Sequence, residues 1–138
     1  MDVGQLLHAL NNEANDAIIE LDYAQIAKAK NDILQQLHLP KDELKALHTK
    51  LKLYRHVLDM DHIRYGSYIR WISLKNPPPL KLTNGGIICN IKLVKDDIHI
   101  SCKNRMNRIF QINMAEVVVF QKLNEQEQVI LKALKYLE

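Results

Sequence analysis

The stretch Leu82-Thr83-Asn84-Gly85-Gly86-Ile87-Ile88-Cys89-Asn90-Ile91-Lys92-Leu93-Val94-Lys95-Asp96-Asp97-Ile98-His99-Ile100-Ser101-Cys102 decides the fold class. Much of it alternates apolar and polar residues, the period of a strand with one buried face. Asn84-Gly85 is a favoured two-residue hairpin turn; closing Thr83 onto Gly86 sets Leu82 opposite Ile87 and Leu80 opposite Cys89. A second turn centred on Lys95-Asp96 sets Leu93 opposite Ile98, Ile91 opposite Ile100 and Cys89 opposite Cys102. A three-residue loop at Arg105-Met106-Asn107 then sets Cys102 against Phe110, Ile100 against Ile112 and Ile98 against Met114. A slip of one residue would turn each set to solvent, so the agreement across three turns predicts an antiparallel meander. Its inner face holds Leu82, Ile87, Cys89, Ile91, Leu93, Ile98, Ile100, Cys102, Phe110 and Ile112.

The other face of the same strands carries Asn90, Lys92, His99, Ser101, Lys103 and Gln111, with Lys81 and Arg108 beside it. Upstream, residues 68–74 read as another strand and residues 117–120 as a last one. Asn76-Pro77-Pro78-Pro79 is expected to be an exposed, stiff loop, because proline cannot sustain a ladder. Five or six short strands are enough for a small closed or nearly closed barrel. Asn124 with Glu127 forms a capping box for a final helix over 125–137, striped by Ile130, Ala133, Leu134 and Leu137 and expected to plug the barrel.

The first half reads as helix. Leu7, Leu10, Ala14, Ala17 and Leu21 recur at three and four, which lines one face of a helix over 3–20. Asp22 and Gln25 make a second capping box, after which the apolar phase restarts at Ile26, Ala29, Ile33 and Leu37. Either a new helix over 23–38 begins there or one long helix carries a phase slip. Pro40 stops the pattern and suits the first turn of a third helix over 41–60. Leu44, Leu47, Leu51, Tyr54 and Leu58 give that helix a narrow seam of the coiled-coil kind, and the short link favours antiparallel fold-back. The expected fold is therefore α+β: an N-terminal antiparallel helical hairpin over 1–63, then a small antiparallel β-barrel-like module with a C-terminal helix over 64–138.

A chain of 138 residues, 47% hydrophobic and 25% charged, has the composition of a folded domain of modest size. No apolar run approaches the roughly 18 residues of a membrane span, and Met1-Asp2-Val3-Gly4 does not start a signal sequence. Two cysteines make no zinc ribbon or disulfide framework, so an intracellular, reducing compartment is expected, with Cys89 and Cys102 as inert core thiols. The formal charge of +3 is uneven: residues 1–63 hold seven Lys/Arg and ten Asp/Glu (−3), residues 64–138 twelve and six (+6).

No phosphate-binding glycine loop, nucleophile elbow or dinucleotide fingerprint is present. The six histidines form no i, i+4 pair, and Asp59, Asp61 and His62 read as a solvated helix end more readily than as a metal site. The residues between 64 and 123 include ten Lys/Arg but just Asp96, Asp97 and Glu116 as carboxylates, which does not make an acid/base pair. The expectation is thus a module without catalytic, cofactor or metal site. Its first candidate surface is the Leu44, Leu47, Leu51, Tyr54, Leu58 seam, for a protein partner or a homo-oligomer. The alternative is a nucleic-acid surface of Arg70, Lys81, Lys92, His99, Lys103, Arg105 and Arg108, with Tyr68, Trp71 and His99 as stacking groups, binding with little sequence specificity.

The segments Tyr68-Ile69-Arg70-Trp71-Ile72, Leu82-Thr83-Asn84-Gly85-Gly86, Cys102-Lys103-Asn104-Arg105-Met106-Asn107-Arg108 and Phe120-Gln121-Lys122-Leu123, with Gln126-Glu127, carry a resemblance. Over roughly 66–138 the chain resembles a protein family of nucleocytoplasmic large (giant) DNA viruses. That resemblance implies a viral origin and a place in the host cytoplasm, virus factory or virion, and it carries over no active site. In size the β-module also resembles Sm and Tudor-type barrels, which bind RNA or protein tails.

Overall fold

A computed structural model describes residues 3–15, 18, 21–75 and 78–137. Ala17 and most of the stretch 16–20, like Asn76 and Pro77 of the proline loop, lie outside the described residues. The chain divides into two compact units, one of residues 1–55 with 123–138 and the other of residues 56–122. These units divide ahead of the expected 63/64 boundary, and the final helix groups with the N-terminal helices.

The helical unit contains α1 (Val3–Asn11), α2 (Tyr23–Gln35), α3 (Lys41–Lys50) and α4 (Glu125–Tyr136). Both capping boxes form. Asp22 accepts from the Gln25 amide at 2.7 Å, and the Gln25 side chain accepts from the Asp22 amide at 3.1 Å. Asn124 accepts from the Glu127 amide at 2.8 Å, and Glu127 returns the bond at 3.1 Å. Each box satisfies two amides that a helix start otherwise leaves open. Helix α4 lies antiparallel to α1: Asn12 and Asn15 donate to Gln126 at 2.9 and 3.0 Å at one end, while Leu6 lines one cleft with Ala133, Tyr136 and Leu137 at the other. Between them Ala9, Ile18, Ile26, Leu123, Ile130 and Leu131 form one buried cluster, which is why α4 belongs here.

Helix α3 departs from expectation. It stops at Lys50 with Leu51 as its cap, and Tyr54–Val57 form strand β1 instead of continuing to residue 60. Spacing alone fits Tyr54 and Leu58 to a helix, but Arg55 and Val57 alternate as buried strand positions, and pairing with the sheet prevails. Lys30, itself buried, donates to the carbonyls of Leu51 at 2.8 Å and Tyr54 at 3.1 Å. It thereby ties α2 to the junction between α3 and β1. Burial lowers its pKa below the usual lysine value.

The remaining strands are β2 (Tyr68–Ser73), β3 (Gly86–Val94), β4 (Asp97–Lys103), β5 (Ile109–Asn113) and β6 (Val117–Lys122). One sheet runs in the order β1-β6-β2-β3-β4-β5, so the last strand returns beside β2 and the sheet is open, with edges at β1 and β5, in place of a closed barrel. The core of the strand unit gathers Val57, Ile63, Ile69, Trp71, Ile88, Ile100, Cys102 and Val119.

The predicted register holds in part. Lys95 and Asp96 both sit at positive φ and make the β3–β4 turn, with Leu93 opposite Ile98 and Ile91 opposite Ile100. Cys102 faces Phe110 and Ile100 faces Ile112, as expected. Asn84-Gly85, however, is no hairpin turn. Leu82 bridges to Ile72, the Thr83 amide donates to the Trp71 carbonyl at 2.9 Å, and Gly86 pairs with Ile69, so residues 82–87 run on beside β2. The reversal lies upstream, between β2 and Leu82, and Gly85, at φ +81°, serves as a kink in a continuing strand.

That pairing sets a phase conflict. Register on β2 turns Ile88 inward, whereas register on β4 turns Ile91 inward, and three residues cannot separate two positions on one face of a regular strand. A bulge at Cys89 absorbs the odd residue, so that Ile88 faces Cys102. Cys89 and Ile87 are consequently exposed, contrary to the inward placement expected of them, while Cys102 is fully buried. Phe110 and Leu93 stand at inner positions yet remain 45% and 62% exposed, because the sheet is open there.

The two thiols therefore differ. Cys102 is pushed up to about 11 by burial and then by its neighbour Cys89, whereas Cys89 rests its Sγ 3.4 Å from the Ser101 carbonyl at the surface. Native protein is expected to take up one equivalent of a maleimide promptly, at Cys89, and the second after unfolding. Peptide mapping of the labelled chain checks the assignment.

Candidate functional surfaces

The basic surface is built by three strands. Lys92 on β3 stands directly opposite His99 on β4, Asn90 opposite Ser101, and Ser101 opposite Gln111 on β5, all on the outer face. Gln111 holds the His99 ring, its amide nitrogen 2.8 Å from Nδ1. Lys103 shares this face two residues on, between Ile87 on β3 and Ile109 on β5. With Tyr68 opposite Ile87, a row Tyr68, Ile87, Lys103, Ile109 crosses four strands. Ile87 and Ile109 are 49% and 67% exposed, so this row mixes apolar and cationic chemistry.

Arg105 and Arg108 extend the surface at the β4–β5 turn, where the Asn104 side chain accepts from the amides of Met106 and Arg108 at 2.9 and 3.0 Å and shapes the loop. Arg70 is on the same side of β2, but its Nε donates to the Thr83 carbonyl at 2.8 Å. Lys81 is exposed ahead of β3, off the three-strand face. At the opposite end Asp97 interrupts the positive charge, its carboxylate accepting from Asn113 at 3.1 Å. Of the expected stacking groups Trp71 is in the core, and the Tyr68 hydroxyl donates to the Asn84 carbonyl. His99 stands opposite Lys92, and Tyr68 shares the row of Lys103.

The five residues of the expected apolar seam are not brought together as one helix face. Leu47 and Leu51 are buried, Leu44 is half-buried, Tyr54 lies in β1, and Leu58 is 71% exposed beyond it. Exposed apolar surface on the helical unit is found elsewhere. Val3, Leu7 and Leu10 of α1 and Tyr136 and Leu137 at the end of α4 are all exposed, Tyr136 and Leu137 by more than four-fifths. Tyr136 and Leu137 line an open cleft of about 380 Å³ together with Leu6 and Ala133. The sequence does carry a signal for it: Val3, Leu6, Leu7, Ala9 and Leu10 are too many apolar residues for one face of a nine-residue helix.

Among the described residues no group of three His, Cys, Asp or Glu is placed to hold a metal ion. His56 is held below the usual histidine pKa by burial and packs against the Phe120 ring, centroids 5.8 Å apart. Among the described residues no helix is long and apolar enough to cross a membrane. No family model, no curated protein and no solved structure matches the chain.

Proposed function

We propose that the chain is a non-catalytic interaction module whose helical unit grips a protein partner in the cleft between α1 and the end of α4. The carrying observation is the exposure of Tyr136 and Leu137 at a cleft they line with Leu6 and Ala133, on a helical unit whose α1 also exposes Val3 and Leu7. Exposed apolar surface at a cleft marks protein contacts, whereas scattered lysines are ordinary. A groove between two antiparallel helices suits a third, and α1 carries no Asp, Glu, Lys or Arg while α4 exposes Lys132 and Lys135 beside the cleft. The occupant is therefore an amphipathic partner helix with acidic residues flanking its apolar stripe. Cross-linking from a photoreactive residue at Leu7 or Tyr136 in source cells, followed by mass spectrometry, is expected to capture such a helix, and Leu7→Asp to abolish capture without unfolding the chain. Equal capture by Leu7→Asp and the unchanged chain would refute the cleft.

A second reading rests on the outer face of Lys92, His99 and Lys103. Residues 56–122 hold ten Lys/Arg and five Asp/Glu, giving +5, against nine and eleven, −2, in the rest. This surface supports phosphate contact without base readout, so binding is weak and falls as salt rises. Charge reversal of Lys92 with Lys103 is expected to remove it and leave helix capture intact. Fluorescence titration with single- and double-stranded oligonucleotides at low salt decides it, since silence with both forms ends this reading.

A further inference from the structure

Strand β5 is an edge of the sheet, paired on one side with β4. Natural edges are guarded by lysine, proline, bulges or inward charges. Ile109-Phe110-Gln111-Ile112-Asn113 has none of these: it is uncharged, and its β4 register runs through five pairs without a break.

The direction of its free backbone groups follows from one hydrogen bond. The Asn104 amide donates to the Arg108 carbonyl at 3.0 Å, which makes this a pair whose backbone groups point toward each other. In an antiparallel ladder such pairs alternate, so Phe110 and Ile112 also bond to β4, while Ile109, Gln111 and Asn113 direct their N–H and C=O groups to the open side.

We infer that β5 pairs antiparallel with β5 of a second copy of this chain about a twofold axis through Gln111. In that register Gln111 faces its own equivalent and Ile109 faces Asn113 of the other copy, and these are the residues with free backbone groups. Phe110 then faces Ile112 in the closer, non-hydrogen-bonded pairs, joining side chains that one sheet leaves partly exposed. The ends match in charge as well. Arg105 and Arg108 at the start of one strand approach the end of the other, where Asp97 accepts from Asn113, and no like charges oppose each other within the strand. A single short strand pair buries little area, which puts the association in the weak, concentration-dependent class. It is independent of the helical cleft and of nucleic acid.

Sedimentation equilibrium on the full chain is expected to show a monomer–dimer equilibrium. Gln111→Lys, which sets two ammonium groups against each other across the axis, is expected to weaken it at least about tenfold. Gln111→Pro removes an outward N–H, together with the side-chain contact to His99, while leaving the β4 ladder bonds in place, and is expected to give a folded monomer by circular dichroism. In a Cys89→Ser background, Gln111→Cys is expected to form a disulfide dimer under mild oxidation while Lys92→Cys does not. A chain that stays monomeric up to its solubility limit overturns the inference. So does a dimer that Gln111→Lys leaves unchanged, the reading that stands should Gln111→Pro fail to fold. Loss of the dimer in Leu7→Asp but not in Gln111→Lys would assign self-association to the cleft and equally reject β5.

Discussion

Gly85→Ala is expected to lower stability by about 3 kcal/mol or more, enough to unfold a marginal domain of this size. Two costs combine. At φ +81° an L side chain is strained, and a Cβ built there would sit 1.9 Å from the Ile69 carbonyl oxygen. That oxygen cannot retreat cheaply, since Ile69 is fully buried and paired with Gln121 on one side and Gly86 on the other. Gly66 supplies the control, sharing φ +81° with nothing within 4 Å of its added Cβ. Gly66→Ala carries the backbone term alone, about 1–2 kcal/mol. The difference between the two midpoints in urea unfolding isolates the close approach; equal midpoints would show that residues 82–87 do not run against β2.

Gln121→Leu is expected to cost about 2–4 kcal/mol, although leucine fills a similar volume. Gln121 is 1% exposed, and its amide group straps residues 62–64 to β6. Its Oε1 accepts from the Arg64 amide at 2.9 Å, and its Nε2 donates to the His62 carbonyl at 2.9 Å. Leucine can replace neither bond, and the backbone groups lose their partners in a region that also buries Ile63. Gln121→Glu keeps the acceptor for Arg64 but turns a second oxygen toward the His62 carbonyl, so it should not rescue the loss. Hydrogen exchange is the sharper measurement: residues 62–64 should lose protection in Gln121→Leu more than β4 does. Uniform loss would mean that the strap holds nothing locally.

Several elements were legible from local chemistry. The capping boxes at Asp22–Gln25 and Asn124–Glu127 announce α2 and α4 because the reciprocal bonds involve residues three apart and need no distant partner. The β3–β4 turn and the β4–β5 register were legible too, since neighbouring strands joined by short loops must match apolar sides. The outer placement of Lys92, His99 and Lys103 follows from the same parity.

Other features depend on partners far along the chain. Whether residues 54–57 continue a helix or form a strand is settled by an available sheet edge, and three-four spacing is blind to it. Asn84-Gly85 suits a hairpin and equally a kink; the proximity of β2 decides between them. The bulge at Cys89 exists because β2 and β4 demand opposite phases, so neither flank alone predicts that Ile87 faces out and Ile88 in. The amphipathic pattern of α4 calls for an apolar partner without saying which, and the packing of Ala9, Ile18 and Ile26 supplies it. By itself the sequence determined the α+β composition, two helix starts, the β3–β4 turn, the β4–β5 register and the basic outer face, because each rests on local geometry. The ends of α3, the open sheet, the exposed cleft of the helical unit and the free edge of β5 were decided by tertiary structure, because each depends on which surfaces remain uncovered once all the others have paired.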